Sequence, residues 1–133
     1  MRHYSDRELF ARDTTKLFQF IESKGYGWTY GEAYRTEMQQ EIYREGWKLE
    51  QDTWKKDSSL VRTKVHESQH QKRLAIDLHI WSESISSDYI TVEQWKEVGA
   101  YWKTLSPKNR WGGDFGSDGK KIGWDRWHME RSQ

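Results

Sequence analysis

Leu74-Ala75-Ile76-Asp77-Leu78-His79-Ile80-Trp81 alternates without a break, and this run constrains the fold more than any other part of the chain. Successive side chains of a strand point to opposite faces. Leu74, Ile76, Leu78 and Ile80 therefore form a purely apolar face that must pack against helices, while Ala75, Asp77, His79 and Trp81 form the other. Burying an unpaired carboxylate is costly. Asp77 is therefore expected to look away from the core into a cleft, where a bound metal ion would remove that cost.

The elements around this strand can be read from spacing and caps. Leu9, Phe10, Leu17, Phe18 and Ile21 recur at helical intervals between Asp6 and Lys24, with Asp6 the expected N-cap and Gly25 the stop. Gly27 to Tyr34 is rich in aromatic and small residues and reads as a strand. Thr36 caps a second helix running through Met38, Gln39, Ile42 and Tyr43 to Gly46. Trp47 to Glu67 mixes charges, including Lys55, Lys56, Arg62 and Lys64, without a clear period, and reads as a long surface loop. Val92, Trp95, Val98 and Trp102 follow Thr91 at intervals of three or four and predict a third helix to Lys103. After Pro107, Asn109 to Gly116 reads as a glycine-rich connection, with a buried Trp111 ring and an Asp114 that accepts backbone hydrogen bonds. Together these elements predict one α+β domain over residues 1–133, a small antiparallel sheet packed against helices.

Composition limits the chemistry. A chain of 133 residues buries roughly 65–70% of its unfolded surface on folding, enough for one core. Apolar residues make up only 34%, but nine Trp among 15% aromatics let large rings build that core. With no cysteine, disulfides and thiolate chemistry are excluded, and histidine and carboxylate are left as the strong metal ligands. Lys plus Arg number 22 against 21 Asp plus Glu, so no global charge drives the chain to nucleic acid or acidic membranes. Asp52, Asp57 and Glu67 interrupt the basic stretch from Lys55 to Arg73, and nucleic acid is not an expected partner. The N-terminal residues contain no apolar run of signal-peptide length, and nothing approaches a membrane span, so a soluble protein made in the cytoplasm is expected.

Metal-ligand residue types fall in three places: Ser68-Gln69-His70, Ala75-Ile76-Asp77 and Asp125-Arg126-Trp127-His128. Two histidines and a carboxylate can hold zinc at three corners of a tetrahedron and leave the fourth for water, as catalytic sites do. Residues seven apart on a strand face opposite sides, so His70 must lie on the turn entering the strand and fold back over the face of Asp77. Asp125 and His128 are three apart, which sets them side by side in a helical turn or tight loop and leaves Asp125 free to act as a base. His3, His66 and His79 read as structural, though His79 shares a face with Asp77 and is a candidate for orienting a ligand.

Four groups of residues in this order resemble the zinc D-Ala-D-Ala carboxypeptidase and L-alanyl-D-glutamate endopeptidase family, which includes VanX, VanY and phage endolysins. They are Tyr34-Arg35-Thr36 with Gln39-Gln40, Ser68-Gln69-His70 with Ala75-Ile76-Asp77-Leu78, Arg110-Trp111-Gly112-Gly113-Asp114, and Asp125-Arg126-Trp127-His128-Met129-Glu130. The resemblance implies a D-Ala-D-Ala-peptidase-like fold, shared with hedgehog domains, and His70, Asp77 and His128 as zinc ligands. It implies Asp125 as general base and acid, Arg35 as the cation that steadies the oxyanion, and Ser68 near the substrate. Arg35 also reads as the partner of a carboxylate on the second helix. Trp124 and Trp127 flank Asp125, either to touch substrate or to pack. The family commonly has Gly where this chain has Arg73, so a long side chain there is expected to narrow the cleft or to recognise an acidic group.

The function so implied is zinc-dependent hydrolysis of a peptidoglycan stem-peptide bond such as L-Ala-D-Glu. The enzyme would be a monomeric phage or prophage endolysin, made in the bacterial cytoplasm and acting on the wall after release through a separate pore-forming partner. A D-Ala-D-Ala carboxypeptidase or dipeptidase is the rival within the class. A non-catalytic, metal-stabilised wall-binding or virion module is the rival outside it, and such a module would have no use for Asp125 and Arg35 together.

Overall fold

The computed structural model describes residues 2–61, 68–83, 85, 87–116 and 122–133. Arg62, Lys64 and His66 lie outside the described residues, as do Lys120 and Lys121. The first helix, α1, spans Asp6–Ser23, and its N-cap is Ser5 rather than Asp6. Ser5 and Glu8 cap reciprocally: the Glu8 amide donates to Ser5 Oγ and the Ser5 amide to Glu8 Oε2. Asp6, displaced to the first helical position, accepts instead from Arg131 Nε at 2.9 Å and so ties the first helix to the end of the chain.

Strand β1 is Gly27–Tyr30, shorter than the predicted run to Tyr34. Helix α2 spans Glu37–Glu45 between a Thr36 N-cap and Gly46, whose left-handed conformation (φ 78°) closes the helix as the sequence suggests. The predicted loop from Trp47 is instead a hairpin, with β2 at Trp47–Glu50 and β3 at Thr53–Lys56, followed by a 3-10 turn at Ser58–Leu60. Gln51 and Asp52 make its two-residue turn, both with positive φ, the backbone that suits a twisted hairpin. Neither is the glycine that usually announces such a turn, and the strands lie outside the main sheet with little apolar alternation.

The alternating run forms β4, Ala75–Trp81, and α3 spans Val92–Thr104 behind a Thr91–Gln94 capping box. The glycine-rich connection begins as a strand, β5 at Asn109–Trp111, before a 3-10 turn at Gly112–Asp114. Trp111 is buried there as expected, but Asp114 is exposed and pairs with Lys103 Nζ at 2.8 Å. The final strand, β6, spans His128–Arg131.

Four strands form one antiparallel sheet in the order β1-β4-β6-β5. Ile76, Leu78 and Ile80 turn to the core with Met129 and meet Leu17 and Ile21 of α1 and Trp95, Val98 and Trp102 of α3. The architecture is therefore a two-layer α+β domain, with Asp77, His79 and Trp81 on the sheet face away from the helices. Among the described residues no helix is long and apolar enough to cross a membrane.

Trp102 anchors the core. Its fully buried ring meets Phe10 edge-on at 5.7 Å, and Nε1 donates to the carbonyls of Arg110 (3.0 Å) and Glu130 (3.2 Å), on neighbouring strands. Trp102→Ala removes the ring and leaves those acceptors without their donor. Its expected cost is ~3–5 kcal/mol, read from urea unfolding; a loss below about 1 kcal/mol would show that the ring is not a keystone.

Candidate metal centre

β4 and β6 bring the site together. Asp77 and His128 are paired across the two strands and so face the same way. His70 sits in the turn at residues 69–73 that leads into β4, and its ring folds back over the Asp77 face, as expected. Donor atoms of His70, Asp77 and His128 lie within 4.8 Å of one another. Asp77 Oδ1 is 3.0 Å from His128 Nδ1 and 3.5 Å from His70 Nε2.

The segment after β1 frames Asp77. The Gly31 amide donates to the Asp77 carbonyl at 2.8 Å, and the Asp77 amide donates to the Glu32 carbonyl at 2.7 Å. Farther along, the Arg35 amide donates to the His70 carbonyl. This stretch leaves the regular ladder so that Ala33 can present its carbonyl to His70 Nδ1 at 2.8 Å. His70 Nδ1 is then the protonated nitrogen, and Nε2 is directed at the cluster. On His128 the roles invert: Nε2 bonds Glu130 Oε1 at 2.8 Å, and Nδ1 faces Asp77. Each imidazole thus has its outer nitrogen held by an acceptor, the arrangement that orients metal-bound histidines. Two oriented imidazoles and a carboxylate, two of the three deeply buried, fit a divalent transition metal.

Burial alone would raise the Asp77 carboxyl, but hydrogen bonds from His128 and His70 outweigh it and hold the group well below the usual carboxylate range. Burial would likewise depress His128, yet Asp77 and Glu130 push it up to about 9. Glu130 is lowered, because the hydrogen bond and charge of His128 overcome its burial.

Asp125 lies in the turn before β6, where the His128 amide donates to its carbonyl at 3.1 Å. Its Oδ2 is 3.9 Å from His128 Nδ1. Burial pushes this carboxyl above its ordinary value, against the opposing charge of His128. Gly112 allows that turn to pass: a β-carbon there would run into the Asp125 carbonyl and crowd His128.

Arg35 reaches the cleft from the segment before α2. Its guanidinium forks onto Glu32 (Nε to Oε1 3.0 Å, Nη2 to Oε2 2.6 Å), donates to Gln40 Oε1 at 2.7 Å, and stacks on Tyr43. The paired carboxylate belongs to Glu32, ahead of the helix, so the expectation of a partner on α2 itself is met only by the Gln40 amide. Ser68 lines the cleft, and its Oγ accepts from the His70 amide at 3.2 Å. Trp127 lines it too while packing edge-on against Trp95, so it both packs and faces the cleft; Trp124 is 73% exposed on the rim. The cleft holds about 1220 Å³, room for a peptide segment rather than a single small ligand.

Two expectations change. His79 orients no ligand: its Nδ1 is buried without a hydrogen-bond partner among the described residues, and its ring rests 5.7 Å from that of Trp127. The orienting groups are the Ala33 carbonyl and Glu130, which the sequence reading did not assign. Glu130 would have emerged had residues 128–131 been read as a strand, since positions i and i+2 share a face. Arg73 does not narrow the cleft. It adopts a left-handed conformation (φ 62°), which accounts for the glycine common at this position in the resembling family, and its guanidinium lies 4.6 Å over the Tyr34 ring.

The fold and site define a two-layer α+β domain carrying a His-Asp-His cluster on its open sheet face. That fold is similar to solved peptidoglycan peptidases. The L-Ala D-Glu endopeptidase ChiX of Serratia marcescens aligns with a TM-score of 0.54 at 13% identity, over 91% of this chain and 79% of that one. The LD-carboxypeptidase LdcB aligns at 0.57 and 16% identity over 98% of this chain, which spans 63% of LdcB. VanYB, solved in complex with D-alanine-D-alanine, aligns at 0.56 and 16% identity over 93% and 70%. No protein-family model matches the sequence. No curated protein matches it either.

Proposed function

We propose that this chain is a zinc-dependent peptidase that hydrolyses a peptidoglycan stem-peptide bond of the L-Ala-D-Glu type. The observation that carries the reading is the convergence of His70, Asp77 and His128 on the open sheet face, with the Asp125 carboxylate 3.9 Å from His128. The shared fold with ChiX, LdcB and VanYB supports the substrate class. The nitrogen and oxygen donors favour zinc. A metal held there supplies Lewis acidity, polarising a carbonyl and acidifying water.

The chain's own groups do the rest. Asp125 takes the proton of the attacking water and returns it to the leaving amine; its raised affinity for protons suits both steps. Arg35, fixed by Glu32 and Gln40, presents a cation to the developing oxyanion without needing to reorganise. Ser68 and Trp127 line the cleft where the peptide lies. An endolysin role with a pore-forming partner rests on the sequence resemblance alone.

Mass spectrometry of peptidoglycan digested by the zinc-loaded protein tests this reading. Fragments cut between L-Ala and D-Glu are expected. Release of D-Ala alone would make the enzyme a carboxypeptidase, and intact muropeptides from a zinc-bound protein would favour a wall-binding module.

A further inference from the structure

Among the described residues lining the cleft, the cations are Arg35, Lys72 and Arg110. Arg35 is committed to Glu32 and Gln40, and its side chain is only 12% exposed. Arg110 is placed differently. It lies directly opposite Glu130 across β5 and β6, and Glu130 lies opposite Ala75 across β6 and β4. Residues opposed in this way share a face, so Arg110 stands on the same open face as Asp77 and His128. It is two residue pairs farther along the strands and, on the β5 edge, one strand beyond His128. Arg35 enters from beyond β4, on the opposite edge. The two arginines therefore flank the metal cluster, and Lys72 lines the cleft from the turn before β4, at the Arg110 end.

The Arg110 side chain is 57% exposed, with Nη1 3.5 Å from Glu130 Oε2, at the long limit of a hydrogen bond. The other Glu130 oxygen is taken by His128 at 2.8 Å. With the guanidinium largely in solvent and the contact this long, the pair contributes little to stability although Glu130 is buried. The guanidinium is nevertheless held, 5.0 Å over the Phe115 ring, and Phe115 itself lines the cleft. A planar cation braced on an aromatic face and open to solvent on its remaining edges is suited to bidentate capture of a carboxylate.

We propose that Arg110, braced by Phe115 and Glu130 and assisted by Lys72, is a carboxylate-binding subsite that selects acidic peptides. This deepens the peptidase reading and rests on it for the choice of peptide. The carboxylate can come from a branch of the chain, such as the α-carboxylate of a γ-linked D-Glu, or from the peptide C-terminus. The same guanidinium would serve either.

The test uses the full zinc-loaded chain and synthetic L-Ala-γ-D-Glu peptides with neither, one or the other carboxylate amidated. For the wild type, KM is expected to rise roughly 10- to 100-fold, with little change in kcat, when the recognised carboxylate is amidated. The carboxylate that matters identifies the source. Arg110→Gln should raise KM for the free acid by the same factor and abolish the distinction, while Arg110→Lys retains part of it. An equal fall in kcat on acid and amide would overturn the subsite and leave Arg110 a positioning residue for Glu130 and His128. Calorimetry with the same peptides separates the two readings. Arg110-dependent binding without hydrolysis overturns the peptidase reading alone; hydrolysis without carboxylate discrimination overturns the subsite alone; absence of both overturns both.

Discussion

Asp125→Asn is expected to lower peptide hydrolysis by ~10²–10⁴-fold while one zinc per chain remains bound. The Asn side chain keeps the size and much of the polarity of Asp125, and the turn is held by the Asp125 carbonyl, which the substitution does not touch. What is lost is a carboxylate beside His128 that can take and return a proton. Release of amino groups from purified walls gives the rate, and elemental analysis of the same sample gives the metal. Full activity in this variant would remove Asp125 from the mechanism. Loss of zinc along with activity would make it a ligand rather than a base.

Asp77→Ala should act on the metal itself. Its Oδ1 stands between the ring nitrogens of His70 and His128, so its removal leaves two imidazoles facing each other without the carboxylate between them. Bound zinc is expected to fall from one per chain to near zero, and hydrolysis to background. A ligand held at about 100 times its dissociation constant stabilises a fold by ~2.7 kcal/mol. Chelation should therefore lower the melting temperature of the wild type and leave that of Asp77→Ala unchanged. The Asp77 backbone bonds to Gly31 and Glu32 survive the substitution, so β4 is expected to keep its pairing. Stoichiometric zinc in Asp77→Ala would show that the metal sits elsewhere.

How far each feature could be read from the chain depended on whether its signal was local. β4 was legible because one face is buried and the other open, which writes a period of two into Leu74–Trp81. α2 and α3 were legible because Thr36 and Thr91 cap them and their apolar residues recur at helical spacing. β6 was not, because all four of its residues are buried, three of them polar or charged, and no alternation of hydrophobicity remains. The β2–β3 hairpin stayed hidden for the opposite reason: its exposed strands carry Leu49 and Trp54 among charges, and Gln51-Asp52 turns without glycine.

The sequence by itself offered His70, Asp77, Asp125 and His128 as candidates to hold a metal and move a proton, because without cysteine the strong ligands left are histidine and carboxylate, and these four stand in motifs that resemble a zinc peptidase family. It also determined that Asp77 must face away from the core, because alternation along a strand is a local rule. Only the tertiary structure decided which groups aim those side chains. The Ala33 carbonyl reaches His70 across 37 positions of sequence. Glu130 reaches His128 only because the last four residues before the terminal pair form a strand. Arg110 comes beside that cluster through the β5–β6 pairing. The Ala33 and Arg110 contacts are set by strand order and register, which depend on how the whole chain packs and leave no trace in the spacing of the residues they join.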